Sequence, residues 1–450
     1  MDTSRCKVTR RQFLAVTGTT LATVLGAPNV LIPSRRPNLL FILADDLGYG
    51  DLSSFGRRDF RTPMLDRLGQ SGVRFTSAYS AASVCTPTRA GFITGRYPAR
   101  LPAGLQQPMS WVNEKDGLSP DHPTIATLLK ARDYDTALIG KWHLGYQPEF
   151  GPIQHGFDEF FGILSGGVDY YTHRDALRKL DLHEGLVTVE KVGYLTDLLT
   201  ERAVEYVSRQ HRQPFFLSLQ YTAPHWPWEG PGDHITDTTA EGFQGGGGSP
   251  EIYASMVGSL DAGIGHVMEA LTRARLDRDT LVIFTSDNGG DRYAYNWPHQ
   301  NGKGTLLEGG IRVPAIMRWP GVIPGGQVTD QAAITMDWTA TFVAAAGATA
   351  ARNYPLDGMD LLPVAKGGKR AFERTIFWRQ PFMRYNGQPS QEAVRKGRWK
   401  YLNVNGDSRL FDLAADPGER TDRKQQRPEI TSALGRAFQD WNTGLPARDG

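Results

Sequence analysis

The sequence predicts an α/β fold, in which a large, doubly wound and mostly parallel sheet is followed by a smaller C-terminal α+β part with an antiparallel sheet and a helix. Three observations predict it. Apolar runs without regular polar alternation recur along the chain, as in strands that are buried on both faces. Helical patterns separate these runs, which favours parallel strands covered by helices. Beyond about residue 363 the strand-like runs alternate between apolar and polar residues, as in an antiparallel sheet.

Four apolar runs supply the predicted central strands, and each ends in side chains that can take part in chemistry. They are residues 38–46, 135–143, 214–225 and 280–290. The predicted helices of this part are residues 124–131, 194–210 and 252–274. Because open parallel sheets bind ligands beyond the carboxyl ends of their strands, four polar strand ends at one edge predict a site.

The chain is predicted to have three parts. Residues 1–34 form a signal segment, residues 37–363 the α/β domain, and residues 364–450 the smaller domain. In the smaller domain, the predicted elements are two strand-like runs and a helix, at residues 392–404, 408–413 and 428–445.

The composition is that of an ordinary globular protein. With 450 residues, the chain is long enough for one large core and a smaller one. The formal net charge is only +2 and both signs are interspersed. This balance gives no electrostatic reason to expect a nucleic-acid or membrane-surface partner.

The first 34 residues have the order of an export signal, with basic residues first and a modestly apolar stretch after them. Within them, "TRRQFL", which contains Arg10 and Arg11, resembles the twin-arginine signal of bacteria, whose machinery exports folded proteins. An exported bacterial protein, periplasmic or secreted, is therefore predicted. An anchoring helix is the alternative, but the stretch is too weakly hydrophobic for a stable membrane span.

Cys85 is the cysteine left over once the signal segment is set aside, because Cys6 lies within that segment. A leftover cysteine in an exported chain implies an intermolecular disulfide, a reactive thiol or a modified thiol. Pro87 suits the first turn of a helix, so Cys85 is expected at a helix N-terminus, where backbone N–H groups favour anions. Arg89 follows one turn later on the same face.

Two polar strand ends form the candidate metal site. Asp45 and Asp46 end the first apolar run, and Asp287 and Asn288 end the fourth. Four oxygen ligands without a thiolate suit a hard divalent cation, and Ca²⁺ tolerates an irregular oxygen cage better than Mg²⁺ does. Taken separately, an Asp pair after a strand is more often a helix cap, and Asp-Asn-Gly-Gly is more often a turn.

Further candidate groups follow strands or lie in loops, namely Lys141, His143, His225 and Lys303. Each of them alone is more often a solvated charge or a packed imidazole. Together with a metal ion and Arg89, they would surround a tetrahedral dianion. Cleavage of a sulfate or phosphate ester needs such cationic groups around the ester oxygens, and an acid that protonates the leaving oxygen.

The segment "CTPTRAGFITGR" at residues 85–96 resembles the signature of the sulfatase family, with Thr88 where that family more often has serine. Other segments resemble sulfatases in the family's order and extend the resemblance over nearly the whole chain after the signal: "PNLLFILADDLGYGDLSSFG", "TPMLDRLGQSGVRFTSAYS", "GKWHLG", "HGFDEFFG", "TSDNGG", "GKGTLLEGGIRVPAIMRWPG" and "RKGRWKYL…LFDLAADPGE". The nearest group is that of arylsulfatase A and N-acetylgalactosamine-6-sulfatase. The resemblance implies an alkaline-phosphatase-like fold and hydrolysis of aryl or carbohydrate sulfate esters.

The resemblance also implies two cofactors. A formylglycine-generating enzyme would oxidise Cys85 to formylglycine, an aldehyde whose hydrate attacks the sulfur atom. Together with the modified Cys85, the ligands of a Ca²⁺ ion would be Asp45, Asp46, Asp287 and Asn288. The single cysteine is then the precursor of the nucleophile.

Roles for the remaining candidates are implied in the same way. Arg89 and Lys141 would steady the modified side chain. Lys141 and Lys303 would grip the sulfate group. His225, with Lys303, would assist departure of the alcohol, and His143 would take the proton whose removal releases sulfate and restores the aldehyde.

Two other functions stay open. A hydrolase of the same superfamily could cleave phosphonate or phosphate esters with the same aldehyde, because the cationic groups suit both kinds of ester. A non-catalytic relative could bind sulfated glycans, although every matched catalytic position is filled. Ser165 is a further candidate contact. The aromatic side chains on which a sugar or aryl ring could stack, or which otherwise only pack within the fold, are Tyr170, Tyr171, Trp226 and Trp228.

Overall fold

The structure is a computed structural model that describes residues 36–109, 115–233, 246–383 and 386–446. The predicted signal segment lies outside the described residues, so export stays a prediction. From Arg36 onward the described residues form one compact unit. No helix among them has both the length and the hydrophobicity that crossing a membrane requires.

Strands are numbered in chain order: β1 Asn38–Ala44, β2 Val73–Phe75, β3 Ala78–Tyr79, β4 Asp135–Lys141, β5 Glu159–Ile163, β6 His183–Glu184, β7 Val187–Thr188, β8 Phe215–Gln220, β9 Thr280–Ser286, β10 Ala315–Arg318, β11 Gln327–Thr329, β12 Ala333–Ile334, β13 Thr375–Gln380, β14 Gln391–Lys396, β15 Trp399–Val404 and β16 Asp407–Asp412. The α-helices are α1 Pro63–Gln70, α2 Cys85–Thr94, α3 Ile125–Lys130, α4 Leu195–Ser208, α5 Pro250–Arg273, α6 Glu308–Ile311, α7 Thr335–Ala345, α8 Leu362–Ala365 and α9 Pro428–Asn442. Short 3₁₀ helices span Ser53–Phe55, Pro98–Arg100, Ala103–Gln106, Pro152–His155 and Asp277–Asp279.

The main sheet has ten strands in the order β11-β2-β10-β9-β1-β8-β4-β5-β6-β7. The five central strands β9, β1, β8, β4 and β5 run parallel to one another. Antiparallel pairs join β10 to β9 and β2 at one side, and β6 to β5 and β7 at the other. The predicted mostly parallel sheet is confirmed, and the four predicted apolar runs are β1, β4, β8 and β9.

Strand β1 shows why these runs lack polar alternation. Leu40 and Ile42 belong to a core on one face of the sheet, which α1, α4 and α5 cover. Leu39 and Phe41 belong to a second core on the other face, with residues of α2, α3 and α7. Both faces of the strand are buried, so apolar side chains are favoured at every position.

The predicted helices of the α/β part are present as α3, α4 and α5. Two of them, α3 and α5, begin with capping residues that are visible in the sequence. The Thr124 hydroxyl accepts a hydrogen bond from the N–H of Thr127 at 3.1 Å. The Ser249 hydroxyl accepts one from Ile252 at 3.2 Å, and Pro250 occupies the first position of α5. Such caps satisfy N–H groups that the helix cannot pair itself.

The C-terminal part is an antiparallel sheet in the order β13-β14-β15-β16 with helix α9 packed on it, as predicted. One face of the sheet packs against the main part through Ile376 and Trp378. The other face packs on α9 through Leu434 and Phe438. The predicted boundary at residue 363 falls within the short helix α8.

Candidate active site

The candidate site lies at the carboxyl edge of the parallel strands. Strands β9, β1, β8 and β4 are consecutive neighbours in the sheet, so their last residues meet at one edge. The backbone pairing continues past the strand ends, since the N–H of Asp45 donates to Ala223 at 3.2 Å and that of Asp287 donates to Ala44 at 3.1 Å. Side chains that follow distant strands are thereby held side by side.

Asp45 is fully buried between two cations. Its Oδ2 lies 2.5 Å from Lys141 Nζ and 3.4 Å from Arg89 Nη2. Burial raises the pKa of Asp45, and the charges of Lys141 and Arg89 oppose that rise. The carboxylate and the two cations therefore compensate one another in a place that excludes water.

Asp46 is held by a second set of groups. Its Oδ2 lies 2.7 Å from Lys303 Nζ and 3.6 Å from His225 Nε2, and Asn288 Nδ2 donates to its Oδ1 at 2.7 Å. Burial alone would raise the pKa of Asp46, but Lys303 and His225 hold it well below its usual range. Asp46 has a left-handed φ of 61°, a conformation that Asp tolerates better than most residues and that is frequent at functional sites.

Arg89 connects Asp287 to two further strand ends. Its Nη2 and Nε donate to Asp287 Oδ2 at 2.9 and 3.2 Å, and its Nη1 donates to the carbonyl of Lys141 at 2.9 Å and to Gln220 Oε1 at 2.7 Å. Burial and then the charge of Asp45 raise the pKa of Asp287 to about 6. Gln220, the last residue of β8, was not predicted from the sequence, although its place at a strand end could have indicated it.

The acidic cluster can bind a metal ion. Asp45 Oδ1 and Asn288 Oδ1 are buried and have no hydrogen-bond partner within the described ranges. Buried polar atoms of this kind are rare and costly, and a bound cation would satisfy them. Asp45, Asp46 and His225 each offer a ligand atom within 4.8 Å of the others. The sequence prediction did not include an imidazole among the ligands.

Two buried histidines belong to this cluster. The pKa of His143 lies well below its usual range because of burial and the charges of Lys141 and Arg89. Its Nδ1 is buried without a hydrogen-bond partner among the residues described. Burial, with the charges of Lys303 and Lys141, lowers the pKa of His225 in the same way, and its Nδ1 lies 2.5 Å from the carbonyl of Trp226. Burial and the neighbouring cations thus favour the neutral form of both imidazoles.

Ser165 begins a short segment that packs against both histidines. A Cβ atom added at Gly166 would lie 2.8 Å from His143 Nε2, and one added at Gly167 would lie 3.3 Å from His225 Nδ1. The Ser165 hydroxyl itself donates to the carbonyl of Gly167 at 3.1 Å. This hydrogen bond orders the segment. Side chains larger than glycine at Gly166 and Gly167 would crowd the two imidazoles.

Cys85 is buried at the start of α2, as predicted. The preceding loop is fixed by the C-terminal sheet, because Gln380 Oε1 accepts a hydrogen bond from the Ser83 hydroxyl. The amide of Gln380 also donates to the carbonyl of Gly304 at 2.8 Å, and the N–H of Gly304 donates to Ser83 at 2.9 Å. Gln380 therefore joins the loops of Cys85 and Lys303, a connection that the sequence does not reveal.

The aromatic candidates divide into buried and accessible side chains. Tyr170 and Trp228 are buried, and the Tyr170 hydroxyl donates to the carbonyl of His225 at 2.9 Å. Trp226 is partly exposed, with its ring 4.5 Å from that of His225 and 5.9 Å from Lys303 Nζ. Tyr171 is also partly exposed, and its hydroxyl donates to the carbonyl of Gly230 at 2.7 Å. Among the four, Trp226 is the partly exposed side chain that lies beside both His225 and Lys303.

Comparison with known proteins identifies the class. The family model "Sulfatase" matches residues 37–348, and the model "N-sulphoglucosamine sulphohydrolase, C-terminal" matches residues 300–441. The chain belongs to the sulfatase family, and it is a sulfuric ester hydrolase.

The similarity extends over most of the chain. The chain is 34% identical to arylsulfatase A of Bos taurus, over 86% of this chain and 83% of that protein. It is 33% identical to N-acetylgalactosamine-6-sulfatase of Homo sapiens, over 89% of this chain and 84% of that protein. A crystal structure of Ps i-CgsB in complex with k-i-k-neocarrahexaose is 32% identical, with a TM-score of 0.83 over 92% of this chain and 94% of that chain.

Proposed function

We propose that this sulfatase hydrolyses carbohydrate sulfate esters by means of a formylglycine formed from Cys85 and a Ca²⁺ ion held by Asp45, Asp46, Asp287 and Asn288. The observation that carries the proposal is the pair of buried, unpartnered oxygens, Asp45 Oδ1 and Asn288 Oδ1, in a cluster otherwise compensated by cations. Carboxylate and amide oxygens suit Ca²⁺.

The two cofactors bring the chemistry that side chains lack, since the ion supplies positive charge for the sulfate oxygens and the hydrated aldehyde supplies an oxygen nucleophile. Arg89 and Lys141, which flank Asp45, orient the modified Cys85. Lys141 and Lys303 bind the sulfate oxygens, so negative charge that develops on them is met by ammonium groups already in place.

The two histidines move different protons. His225 and Lys303 lie together at Asp46 and protonate the leaving alcohol oxygen. A bound sulfate ester, which carries one negative charge, raises the proton affinity of His225, which burial and the nearby ammonium groups lower in its absence. His143, with its unpartnered Nδ1, accepts a proton from the modified Cys85.

Two relatives support a carbohydrate as the class of substrate. N-acetylgalactosamine-6-sulfatase is named for a sulfated sugar, and Ps i-CgsB was crystallised with an oligosaccharide. Both cover most of this chain, which supports a sulfated carbohydrate as the substrate. An aryl sulfate serves as the minimal substrate, because it presents the same ester to the same pocket.

The proposal is tested by two measurements on the purified protein. Mass spectrometry of the peptide that contains Cys85 should show the loss of one sulfur and two hydrogens and the gain of one oxygen. Hydrolysis of 4-nitrophenyl sulfate should accompany that change and vanish in Cys85→Ala. An active enzyme with an intact Cys85 thiol overturns the proposal. Faster hydrolysis of a phosphonate monoester would instead favour the alternative ester class.

We also propose export by the twin-arginine route, after the Cys85 thiol has been converted by a formylglycine-generating enzyme in the cytoplasm. The basis is the Arg10–Arg11 pair in "TRRQFL". Cys85 is 2% exposed in the fold, so conversion must precede folding, and the twin-arginine machinery moves folded proteins. Replacing both arginines with lysine should leave matured enzyme in the cytoplasm, and normal export of that variant would contradict the route.

A further inference from the structure

Two exposed aromatic side chains, Tyr295 and Trp297, lie in the loop between the candidate metal ligands and Lys303. Trp297 is 59% exposed and Tyr295 is 38% exposed. Their rings are nearly parallel, with an interplanar angle of 14° and centroids 6.4 Å apart. We call this pair the aromatic platform. Large apolar side chains that are exposed together beside a pocket indicate a binding surface.

Hydrogen bonds to Gly50 and Asp51 hold the backbone that carries the aromatic platform. The N–H of Tyr295 donates to Asp51 Oδ1 at 2.9 Å, and its carbonyl accepts from Gly50 at 2.7 Å. Asp51 is fully buried and also accepts a hydrogen bond from the Tyr253 hydroxyl at 2.5 Å. Because this loop is already ordered, a ligand that binds to it has little loop entropy to overcome.

Asn296, between the two rings, ties the platform to the active-site loops. Its Oδ1 accepts from the N–H of Gly290 at 3.0 Å, and its Nδ2 donates to the carbonyl of Gly290 at 3.0 Å. The same carbonyl accepts from the N–H of Lys303 at 3.2 Å. Asn296 of the platform loop and the backbone of Lys303 thus bond the same carbonyl, so the platform lies on an ordered loop that leads directly to Lys303.

Positive charge accompanies the platform. The exposed Arg292 belongs to the same loop, and its guanidinium lies 5.3 Å from the centre of the Tyr293 ring. The guanidinium of Arg57 lies 5.6 Å from the centre of the Tyr295 ring, but it is buried and paired with Asp51 and Asp59, so it supports the ring from within the fold. Exposed aromatic rings with the exposed Arg292 on the same loop suit a ligand that combines apolar faces with negative charge.

We propose that the aromatic platform binds a sugar ring that adjoins the sulfated ring in the pocket, so that the preferred substrate is a sulfated oligosaccharide or polysaccharide. A pyranose ring presents C–H groups on its face, and such a face packs on an aromatic ring while the hydroxyl and sulfate groups point outward. The proposal rests on the proposed function, because it assumes that the sulfate ester is cleaved in the pocket.

The test compares long and short substrates. The variants are Trp297→Ala, Tyr295→Ala and the double variant, and Val328→Ala is the control, since it truncates an exposed apolar side chain of the sheet-edge strand β11. The substrates are k-i-k-neocarrahexaose, an oligosaccharide with N-acetylgalactosamine 6-sulfate, and 4-nitrophenyl sulfate. For the oligosaccharide that the wild type desulfates best, we expect KM to rise about tenfold in Trp297→Ala with kcat unchanged. The constants for 4-nitrophenyl sulfate should stay within twofold.

Three outcomes overturn the proposal. The first is turnover of 4-nitrophenyl sulfate by a wild type that desulfates neither oligosaccharide. The second is an equal loss on all substrates, which indicates a structural role for Trp297. The third is a change of oligomeric state in the platform variants, which would make this surface a contact between copies. A wild type that hydrolyses no sulfate ester at all refutes the proposed function instead.

Discussion

Lys400 Nζ lies 3.0 Å from Glu308 Oε1, and this buried ion pair joins the C-terminal sheet to the helix that follows Lys303. The same ammonium lies 2.9 Å from Glu419 Oε1. Replacing Lys400 with Met should therefore leave two buried carboxylates without their shared cation. We expect the free energy of unfolding to fall by about 3–5 kcal/mol, measured by urea denaturation.

The exposed pair of Lys396 and Glu373, 4.0 Å apart, provides the matched control. Lys396→Met should change the free energy of unfolding by less than about 1 kcal/mol, because solvent screens this pair. An equal loss of unfolding free energy in the two variants would show that burial does not make the Lys400 ion pair more important than the exposed one.

Glu419 should make stability depend on pH. Burial raises its pKa from 4.5 to about 7, since the opposing charge of Lys400 is shared with Glu308. A pKa that is higher in the folded state contributes stability below pH 4.5, and that contribution is lost as the pH rises through about 7. Between pH 5 and pH 8, wild type should lose about 2–3 kcal/mol relative to Glu419→Gln. Urea denaturation of both proteins at the two pH values measures this, and parallel pH dependences would refute it.

Calcium should stabilise the folded protein. At a hundredfold excess over its Kd, a ligand that binds only the folded state adds about 2.7 kcal/mol. Addition of Ca²⁺ after chelation should thus raise the Tm, measured by calorimetry on matured enzyme and on Cys85→Ala.

Asn288→Ala should reduce this Tm increase, because it removes one of the two unpartnered oxygens. Asn403→Ala should keep the increase, because Asn403 lies on β15 of the C-terminal sheet, outside the acidic cluster, where its Nδ2 donates to Glu392. An unchanged increase in Asn288→Ala would place the ion elsewhere.

Lys303→Ala should reduce kcat for 4-nitrophenyl sulfate about 100- to 1000-fold, which is the usual effect of removing one positioned charge-stabilising group. The Cys85 peptide should still show the aldehyde, because maturation precedes the assembly of the pocket. The exposed Lys130→Ala should leave kcat unchanged. Full activity in Lys303→Ala would exclude Lys303 from the reaction.

Gln380→Ala should lower kcat about tenfold while KM for 4-nitrophenyl sulfate changes little. Its amide holds Ser83 and Gly304, which flank Cys85 and Lys303 in the chain, so its loss should loosen both groups without removing either. Asn403→Ala is again the control for general damage to the sheet. A variant that only unfolds more easily, with kcat unchanged, would assign Gln380 a purely structural role.

The parallel sheet was predictable because strands buried on both faces, such as β1 and β9, are apolar runs without polar alternation. The candidate site was predictable where its residues directly follow a strand, as Asp45 and Asp287 do, or end one, as Lys141 does. Family resemblance supplied roles that spacing alone could not, such as that of Cys85. The antiparallel strands at the sides of the main sheet, β2, β10, β6 and β7, are two to four residues long and too short to carry a periodic pattern.

Contacts between distant segments could not be predicted. Gln380 is an ordinary polar residue at the end of a strand, and nothing in its local sequence indicates that it bonds the loops of Cys85 and Lys303. Asn296 is a similar case, because its contacts depend on which loop the fold brings opposite it. Which distant segments such side chains contact is determined by the three-dimensional packing, and local periodicity does not show it.

The hydrogen bond between Ser83 and Gln380 spans 297 positions of the chain, and this separation has a consequence for biosynthesis. At about 5–20 residues per second, a ribosome that has just added Cys85 needs roughly 15–60 s to reach Gln380. Throughout that interval the loop before Cys85 lacks its final contacts. Translation speed thus sets how long a modifying enzyme has to reach the nascent thiol, and faster synthesis should yield a larger share of inactive molecules.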